Sequence, residues 1–381
     1  MSPRIYRKLA VLTEGSTDIH RNKTAMGLLR FRPEDVVCVI DRQLAGGDLG
    51  GTLGGLGRSI PVVSEAIDAK SLGAEWLVIG VSTPGGYLPP HLKQVVYDAI
   101  KLRIGIISGL HESVNGDPNL VSMSARYAVE LVNLRTIPND FDPTVGTARA
   151  RHTHAPRVLT VGTDANVGKT TTSLMLHHHL TTVEGLRSRF VATGQDGILI
   201  TGKGLCIDRC IADFASGTVE RLILAEDRDC DLLMVEGQNG LFSPCFSGTA
   251  LSLLHGTCPD AMVLCHRVGR DSLRHTDVPM PSLTTQIQAI EAMLRPLHPG
   301  RVVAVGLNTN GLSEADARQA LKDAAAETGL PTADVVRDGA TGCAVLAKAI
   351  RKALGRKLRA ARPARKTTKM PAKRATKARA H

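Results

Sequence analysis

One short segment constrains this chain more than any other. Val158–Thr171 reads V-L-T-V-G-T-D-A-N-V-G-K-T-T: an apolar, β-branched run, a glycine turn, the triplet Gly168-Lys169-Thr170, and the start of a helical pattern. A strand that turns through glycines into a helix leaves the first helical N–H groups unpaired and aimed at the turn, where they suit an anion. The helix must then carry the chain back across the sheet face before another strand can pair in parallel. The segment therefore asks for a parallel α/β domain with a phosphate-binding loop at one strand end. Gly162, Thr163, Asp164, Asn166, Val167, Gly168, Lys169, Thr170 and Thr171 are its candidate cofactor-binding residues. Lys169 neutralises terminal phosphate oxygens, and the Thr170 hydroxyl is placed to ligate Mg²⁺. Five residues, rather than the usual four, separate Gly162 from Gly168.

The same alternation of apolar runs and helix-length segments fills the chain. Leu9–Leu12, Val36–Ile40, Trp76–Val81 and Ile104–Ser108 read as strands, with helices over Lys23–Leu29 and His91–Leu102. After a polar, proline-bearing break, Val158–Gly162, Phe190–Thr193, Leu232–Val235, Ala261–Cys265 and Val302–Leu307 read as strands. Helices are expected over Lys169–Leu180, Thr218–Ala225, Thr284–Leu294 and Ala315–Glu327, then a strand near Asp334–Arg337 and a helix over Ala344–Leu354. Aromatics make up only 3% of the residues, so the cores rest on Val, Ile, Leu and Ala, as in parallel sheets covered by helices. The expected organisation is a Rossmann-like domain over 1–137, a linker over 138–156, a P-loop NTPase-like parallel α/β domain over 157–355, and a tail over 356–381. The seven glycines of Gly46–Gly57 lack a strand–helix context and read as a flexible loop or hinge.

Charge points first to nucleic acid and then away from it. The formal net charge is +11, but eleven of the 47 Lys and Arg fall between Arg356 and His381, where no acidic residue occurs. The preceding residues carry 36 basic side chains against the chain's 36 acidic ones, so the folded body is neutral. The Ala-, Pro-, Lys- and Arg-rich tail cannot build a core and is expected to be disordered, with any nucleic-acid contact driven by phosphate charge and unspecific. No apolar run reaches the ~20 residues of a membrane span, and no signal peptide is read at the start, so a cytoplasmic protein is expected, without membrane association. The eight cysteines are scattered and read as reduced thiols. His177–His179 are consecutive on a helix, where directions differ by ~100°, and so do not converge on one ion.

Three further segments are placed to line the phosphate loop. Asp231–Gly237, D-L-L-M-V-E-G, is a buried strand ending in Glu236. A carboxylate at that edge points into the crevice where parallel sheets bind ligands. Val191–Gly197 brings Gln195 and Asp196 in a polar turn, toward substrate or a metal-bound water, and Val305–Gly311 brings Asn308 and Asn310. The spelling G-T-D-x-x-V-G-K-T resembles dethiobiotin synthetase and its relatives. That resemblance implies that Glu236 helps hold a metal, which makes Thr170, Asp196 and Glu236 the candidate metal residues, and it implies an ATP- or GTP-Mg²⁺-dependent ligase or kinase.

A wider set of segments covers nearly all of Lys8–Leu354. Thr13-Glu14-Gly15, Lys23-Thr24-Ala25, Val39-Ile40-Asp41, Pro84-Gly85-Gly86 and Ser108-Gly109-Leu110-His111-Glu112 lie in the first half. Ala192-Thr193-Gly194-Gln195, Val235-Glu236-Gly237-Gln238, Leu254-His255-Gly256 and Val263-Leu264-Cys265-His266 follow in the second. On these the chain resembles the two-domain DgcN-like family typified by a D-glutamate N-acetyltransferase. The resemblance implies acetyl transfer from acetyl-CoA to the amine of a small acidic amino acid, with the phosphate loop holding coenzyme A. Lys169, Glu236, His111 and His266 are then the candidate catalytic groups, and Arg30, Arg267, Gln195 and Gln238 the candidate substrate contacts. A homo-oligomer and a small-molecule substrate are expected. A ligase of the dethiobiotin-synthetase type and a nucleotide-binding regulatory protein remain the alternatives.

Overall fold

The computed structural model describes residues 3–13, 22–48, 59–138, 141 and 143–360. Most of the glycine-rich Gly46–Gly57 segment, and the basic tail beyond Ala360, lie outside the described residues. Two parallel sheets of six strands each form the frame.

The first sheet contains β1 (Leu9–Leu12), β2 (Val36–Ile40), β3 (Val62–Val63), β4 (Trp76–Ile79), β5 (Gly105–Ser108) and β6 (Leu131–Asn133). Their spatial order, β3-β2-β1-β4-β5-β6, is that of a Rossmann domain. Helices α1 (Lys23–Phe31), α2 (Ala66–Ser71), α3 (Pro90–Lys101) and α4 (Pro118–Tyr127) connect them. Pro at the first position of α3 and the Asp117 cap of α4, which accepts from the Asn119 and Leu120 N–H groups, set where these helices start.

The second sheet holds β7 (Arg157–Gly162), β8 (Ser188–Val191), β9 (Leu232–Val235), β10 (Ala261–Arg267), β11 (Arg301–Asn308) and β12 (Thr332–Ala333), ordered β12-β11-β10-β7-β9-β8. Strand β7 thus lies between β9 and β10, and its loop opens between their C-terminal ends, where the strand order reverses. The helices are α5 (Lys169–Thr182), α6 (Gln195–Thr201), α7 (Ala212–Glu226), α8 (Ser247–Thr257), α9 (Leu283–Leu294), α10 (Glu314–Thr328) and α11 (Gly339–Ala360). The strand expected near Asp334–Arg337 is instead β12 followed by a turn, because Asp334 turns back on itself: its carboxylate accepts from the N–H groups of Val336 and Arg337. Helix α11 runs past Gly355 to Ala360, so the basic segment begins as helix, and Lys357 pairs with Asp260.

The part of the expected linker from Thr144 onward forms a strap held on α7. Glu220, buried on α7, accepts from the Thr147 hydroxyl at 2.8 Å and the Arg149 N–H at 2.6 Å. Gly217 of α7 lies so close to Thr144 that any side chain there would strike its carbonyl oxygen.

The domains share one element. Helix α6 belongs by sequence to the second domain, yet Leu199 is buried in the first domain's core with Leu28 and Leu29, while Ile198 and Ile200 pack on the second domain's core. Seven residues give too little periodicity to read as a helix, so the sequence shows only a turn there. Buried Arg32 pins α6 across the seam. Its guanidinium donates to the Leu199 carbonyl at 2.9 Å, to the Tyr6 carbonyl, and to Asp35 at 2.6 and 2.9 Å. Arg32→Met leaves Asp35 buried without this partner and removes the link to α6. We expect a loss of stability on the order of 3 kcal/mol, read as a lower thermal midpoint. An unchanged midpoint would show that the seam does not depend on this residue.

Candidate functional site

The loop between β7 and α5 is built as its sequence asks. Asn166 and Gly168 adopt left-handed conformations with φ of 55° and 106°, which turns the chain tightly enough for successive N–H groups to face one point. Gly168 is the residue before α5, so the unpaired first-turn N–H groups of that helix open into the same space. Lys169 folds over the loop, its Nζ donating to the Asp164 carbonyl at 2.6 Å. Asp164 itself is engaged within the protein. Its fully buried carboxylate accepts from the Ala165 N–H, from Arg270 Nη1 at 3.0 Å and from the Arg274 N–H at 2.6 Å, tying the segment after β10 onto the loop.

Glu236 lies beneath the loop at the end of β9. One carboxylate oxygen accepts from the Thr170 hydroxyl at 2.7 Å, and the other from the N–H groups of Thr193 and Gly194 at 3.0 and 3.1 Å. Gly237 is required beside it, since a Cβ there would overlap the Thr160 carbonyl oxygen. Asp196, in the first turn of α6, reaches across the seam. It accepts from the Thr24 hydroxyl at 2.6 Å and pairs with Lys23 Nζ at 2.9 Å, both from the N-terminal turn of α1.

Of these groups Lys23, Lys169, Thr170 and Asp196 border a cavity of about 360 Å³ between the domains, within the size range of small-ligand sites. The loop from Ala165 to Thr172 forms one wall, with Gln238, Asn308 and Asn310 at its edge. Helix α1 forms the opposite wall through Lys23, Met26, Arg30 and Phe31, and Val335 and Val336 add an apolar side. The Arg30 guanidinium makes no hydrogen bond among the described residues. Burial lowers its pKa, against the attraction of nearby Asp334, whose oxygens are taken by Thr309, Val336 and Arg337.

The other expected site residues stand apart from the cavity. Gln195 starts α6 and packs on Gly109 of the first domain. His111 lies against Gly86 and is exposed. His266 bonds the Thr163 hydroxyl at 3.0 Å behind the loop, and burial, with Arg270 nearby, takes its pKa down to about 4. Arg267 ends β10 in register with Asn308 and does not line the cavity. The three histidines of α5 diverge: His177 bonds Ser188 while His179 approaches Glu184. Reading by motif missed Lys23 and Thr24 as site residues. Their signal was available, a lysine in a helical first turn, where a cation opposes the helix dipole and calls for some other reason to be there.

Two groups are tuned toward neutrality. Burial lowers Lys169 to about 7, aided by Lys23 and Arg270 and opposed by Cys265 and Asp164. Burial likewise raises Glu236 to about 7, against the hydrogen bonds from Thr170 and Thr193. The expected metal set is hydrogen-bonded within the protein: the Asp196 oxygens meet Thr24 and Lys23, and one Glu236 oxygen accepts from the Thr170 hydroxyl.

Fold and site together define a two-domain α/β protein, Rossmann-like in its first half and carrying a P-loop in its second. Residues 42–137 match the family model "Domain of unknown function (DUF1611_N) Rossmann-like domain". Residues 144–343 match "Domain of unknown function (DUF1611_C) P-loop domain". The chain belongs to the DUF1611 family. A crystal structure of a family member from Anabaena variabilis is 34% identical, with a TM-score of 0.83, covering 90% of this chain and 99% of that one. A protein of Tritonibacter scottomollicae named D-glutamate N-acetyltransferase is 35% identical over 327 residues, 85% of this chain and 93% of its own length. One of the same name from Pseudoalteromonas is 36% identical over 277 residues, covering 71% and 81%. Among the described residues no helix is long and apolar enough to cross a membrane.

The tuning of Lys169 has a measurable consequence. Above pH 7 its amine is largely neutral in the free protein, whereas a phosphate in the loop favours the charged form. Pyrophosphate binding at pH 8 should therefore take up close to one proton (~1), and less at pH 6. Calorimetry in buffers of different ionisation enthalpy reads this directly, and Lys169→Met should remove the uptake. Equal uptake at both pH values would refute the assignment.

Proposed function

We propose that this chain is an acetyl-CoA-dependent N-acetyltransferase acting on the amine of a small acidic amino acid such as D-glutamate. The observation that carries the reading is the shared cavity: the phosphate loop opens into the same space as Arg30, a guanidinium with no hydrogen bond among the described residues. Relatives 35% and 36% identical that bear the name D-glutamate N-acetyltransferase support it.

Coenzyme A carries phosphates at one end and its thiol at the other. With the phosphates held by the loop and Lys169, Met26, Phe31, Val335 and Val336 would hold the apolar pantetheine arm. Arg30 supplies the fork that a carboxylate accepts in two bonds. After the ammonium gives one proton to solvent, the amine nitrogen attacks the thioester carbonyl; a C–N bond forms as the C–S bond breaks, and a nitrogen proton passes to the departing sulfur, which leaves as the thiol. In this arrangement the arm carries the reacting carbonyl away from the loop. Lys169 and Glu236 therefore serve binding and charge at the phosphates rather than proton removal from the amine.

Thiol release from acetyl-CoA in the presence of D-glutamate, without any nucleotide, is the expected activity. Arg30→Met should raise KM for the amino acid by about tenfold to a hundredfold, the worth of a charged hydrogen bond, with a smaller effect on KM for acetyl-CoA. Lys169→Ala should instead weaken acetyl-CoA binding. The triplet Gly168-Lys169-Thr170 supports a second reading, a ligase or kinase using ATP- or GTP-Mg²⁺. Nucleotide turnover that depends on an amino acid or carboxylate, with no thiol release, would establish it in place of the first.

A further inference from the structure

Lys23 stands where a phosphate loop ordinarily meets its divalent ion. It comes from the other domain, in the first turn of α1, a turn with no acidic residue, where its charge works against the helix dipole. Its Nζ pairs with Asp196 at 2.9 Å and lies within the field of Glu236, the two carboxylates expected to hold a metal beside Thr170. It lines the cavity and retains about a third of its side-chain exposure (34%). Lys23 and Lys169 thus face the same cavity, whose two lining acids, Asp196 and Asp334, are both engaged by hydrogen-bond donors.

We propose that Lys23 is a built-in replacement for the divalent cation of the P-loop: its ammonium, set against Asp196 and Glu236, meets the anionic ligand, and the site binds phosphate without metal. Two observations support this assignment. Both Asp196 oxygens are engaged, one by the Lys23 ammonium and the other by the Thr24 hydroxyl, so a divalent ion there would sit against a like charge. One Glu236 oxygen accepts from the Thr170 hydroxyl and the other from the Thr193 and Gly194 N–H groups, so this carboxylate too is engaged within the protein. Because the cation belongs to the first domain, the ligand is gripped only when the domains are closed on each other, and a phosphate in the loop strengthens the seam in return. The inference rests on the phosphate loop and not on acetyl transfer.

The test is Mn²⁺ titration of chelator-treated full-length protein, followed by electron paramagnetic resonance, together with pyrophosphate calorimetry in EDTA and in Mg²⁺. Wild type should take up no stoichiometric Mn²⁺. Lys23→Ala and Lys23→Met, checked for folding by circular dichroism, should each gain a Mn²⁺ site that Glu236→Gln removes in the same background. Pyrophosphate should bind wild type equally in EDTA and Mg²⁺, and bind the two variants about tenfold or more weakly in EDTA, with Mg²⁺ restoring it. Stoichiometric Mn²⁺ on wild type that Glu236→Gln abolishes overturns the proposal, as does the lack of any gained site in both folded variants. Pyrophosphate binding by wild type that requires Mg²⁺ overturns it equally. Failure of wild type to bind pyrophosphate at all counts against the ligand proposed above, and the Mn²⁺ titration still decides the role of Lys23. Acetyl transfer, measured separately, can fail without moving either readout.

Discussion

A buried carboxylate at a domain seam must be met by positive charge or hydrogen-bond donors, and Asp196 is met by both. Lys23 and Thr24 reach it from α1, so a single side chain in the first turn of α6 draws the two sheets together at the mouth of the P-loop. Desolvating such a group without partners is far more costly than leaving it exposed, which is why the contact fixes a geometry as well as adding an interaction. The rest of the seam follows the same line. Leu199 fills the first domain's core, Arg32 holds the carbonyl of that residue, and the Arg4 N–H bonds the Gly202 carbonyl at 2.8 Å where α6 ends. Removing α6 from either domain would open both cores.

The cavity's charge is local and owes nothing to the overall excess of basic residues. The body is neutral in sequence, yet Lys23, Arg30 and Lys169 all face one space, while the carboxylates nearby are engaged by partners. Burial does the tuning: it lowers Lys169 and raises Glu236 toward the same pH, so small changes in what occupies the cavity shift the protonation of both. Asp164 shows how a motif residue can shape the loop. By holding Arg270 and the Arg274 N–H, it clamps the segment after β10 against the loop and fixes the turn that Asn166 and Gly168 make.

The N-acetyltransferase reading and the metal-free cradle have a common physical basis. A phosphoryl-transfer site needs a mobile divalent ion on the phosphate whose bonds are changing. A site that only grips a cofactor by its phosphates needs fixed positive charge, which a lysine paired with Asp196 supplies. The apolar side beside Arg30 then has the mixed character that a pantetheine arm and a small acidic acceptor would share.

Much of the fold was legible in the sequence because it rests on local rules. Continuous apolar runs such as Leu232–Val235 mark buried parallel strands, and Val158–Thr171 contains strand, turn, anion cradle and helix start within fourteen residues, each fixed by its neighbours. The sequence alone therefore determined two parallel α/β domains and the place of the phosphate loop. It did not reveal α6, too short to show a period, nor the end of α11, where helix continues into a segment read as tail by composition. The make-up of the site was decided only in three dimensions. Gln195, Asp196, His111 and His266 carried the same signal in the sequence, polar groups near strand ends. Lys23 entered the cavity from 146 positions before Lys169 only because α1 packs on α6. Strand ends obey local geometry, whereas which charges meet depends on how two separately folded sheets dock, and no local pattern encodes that.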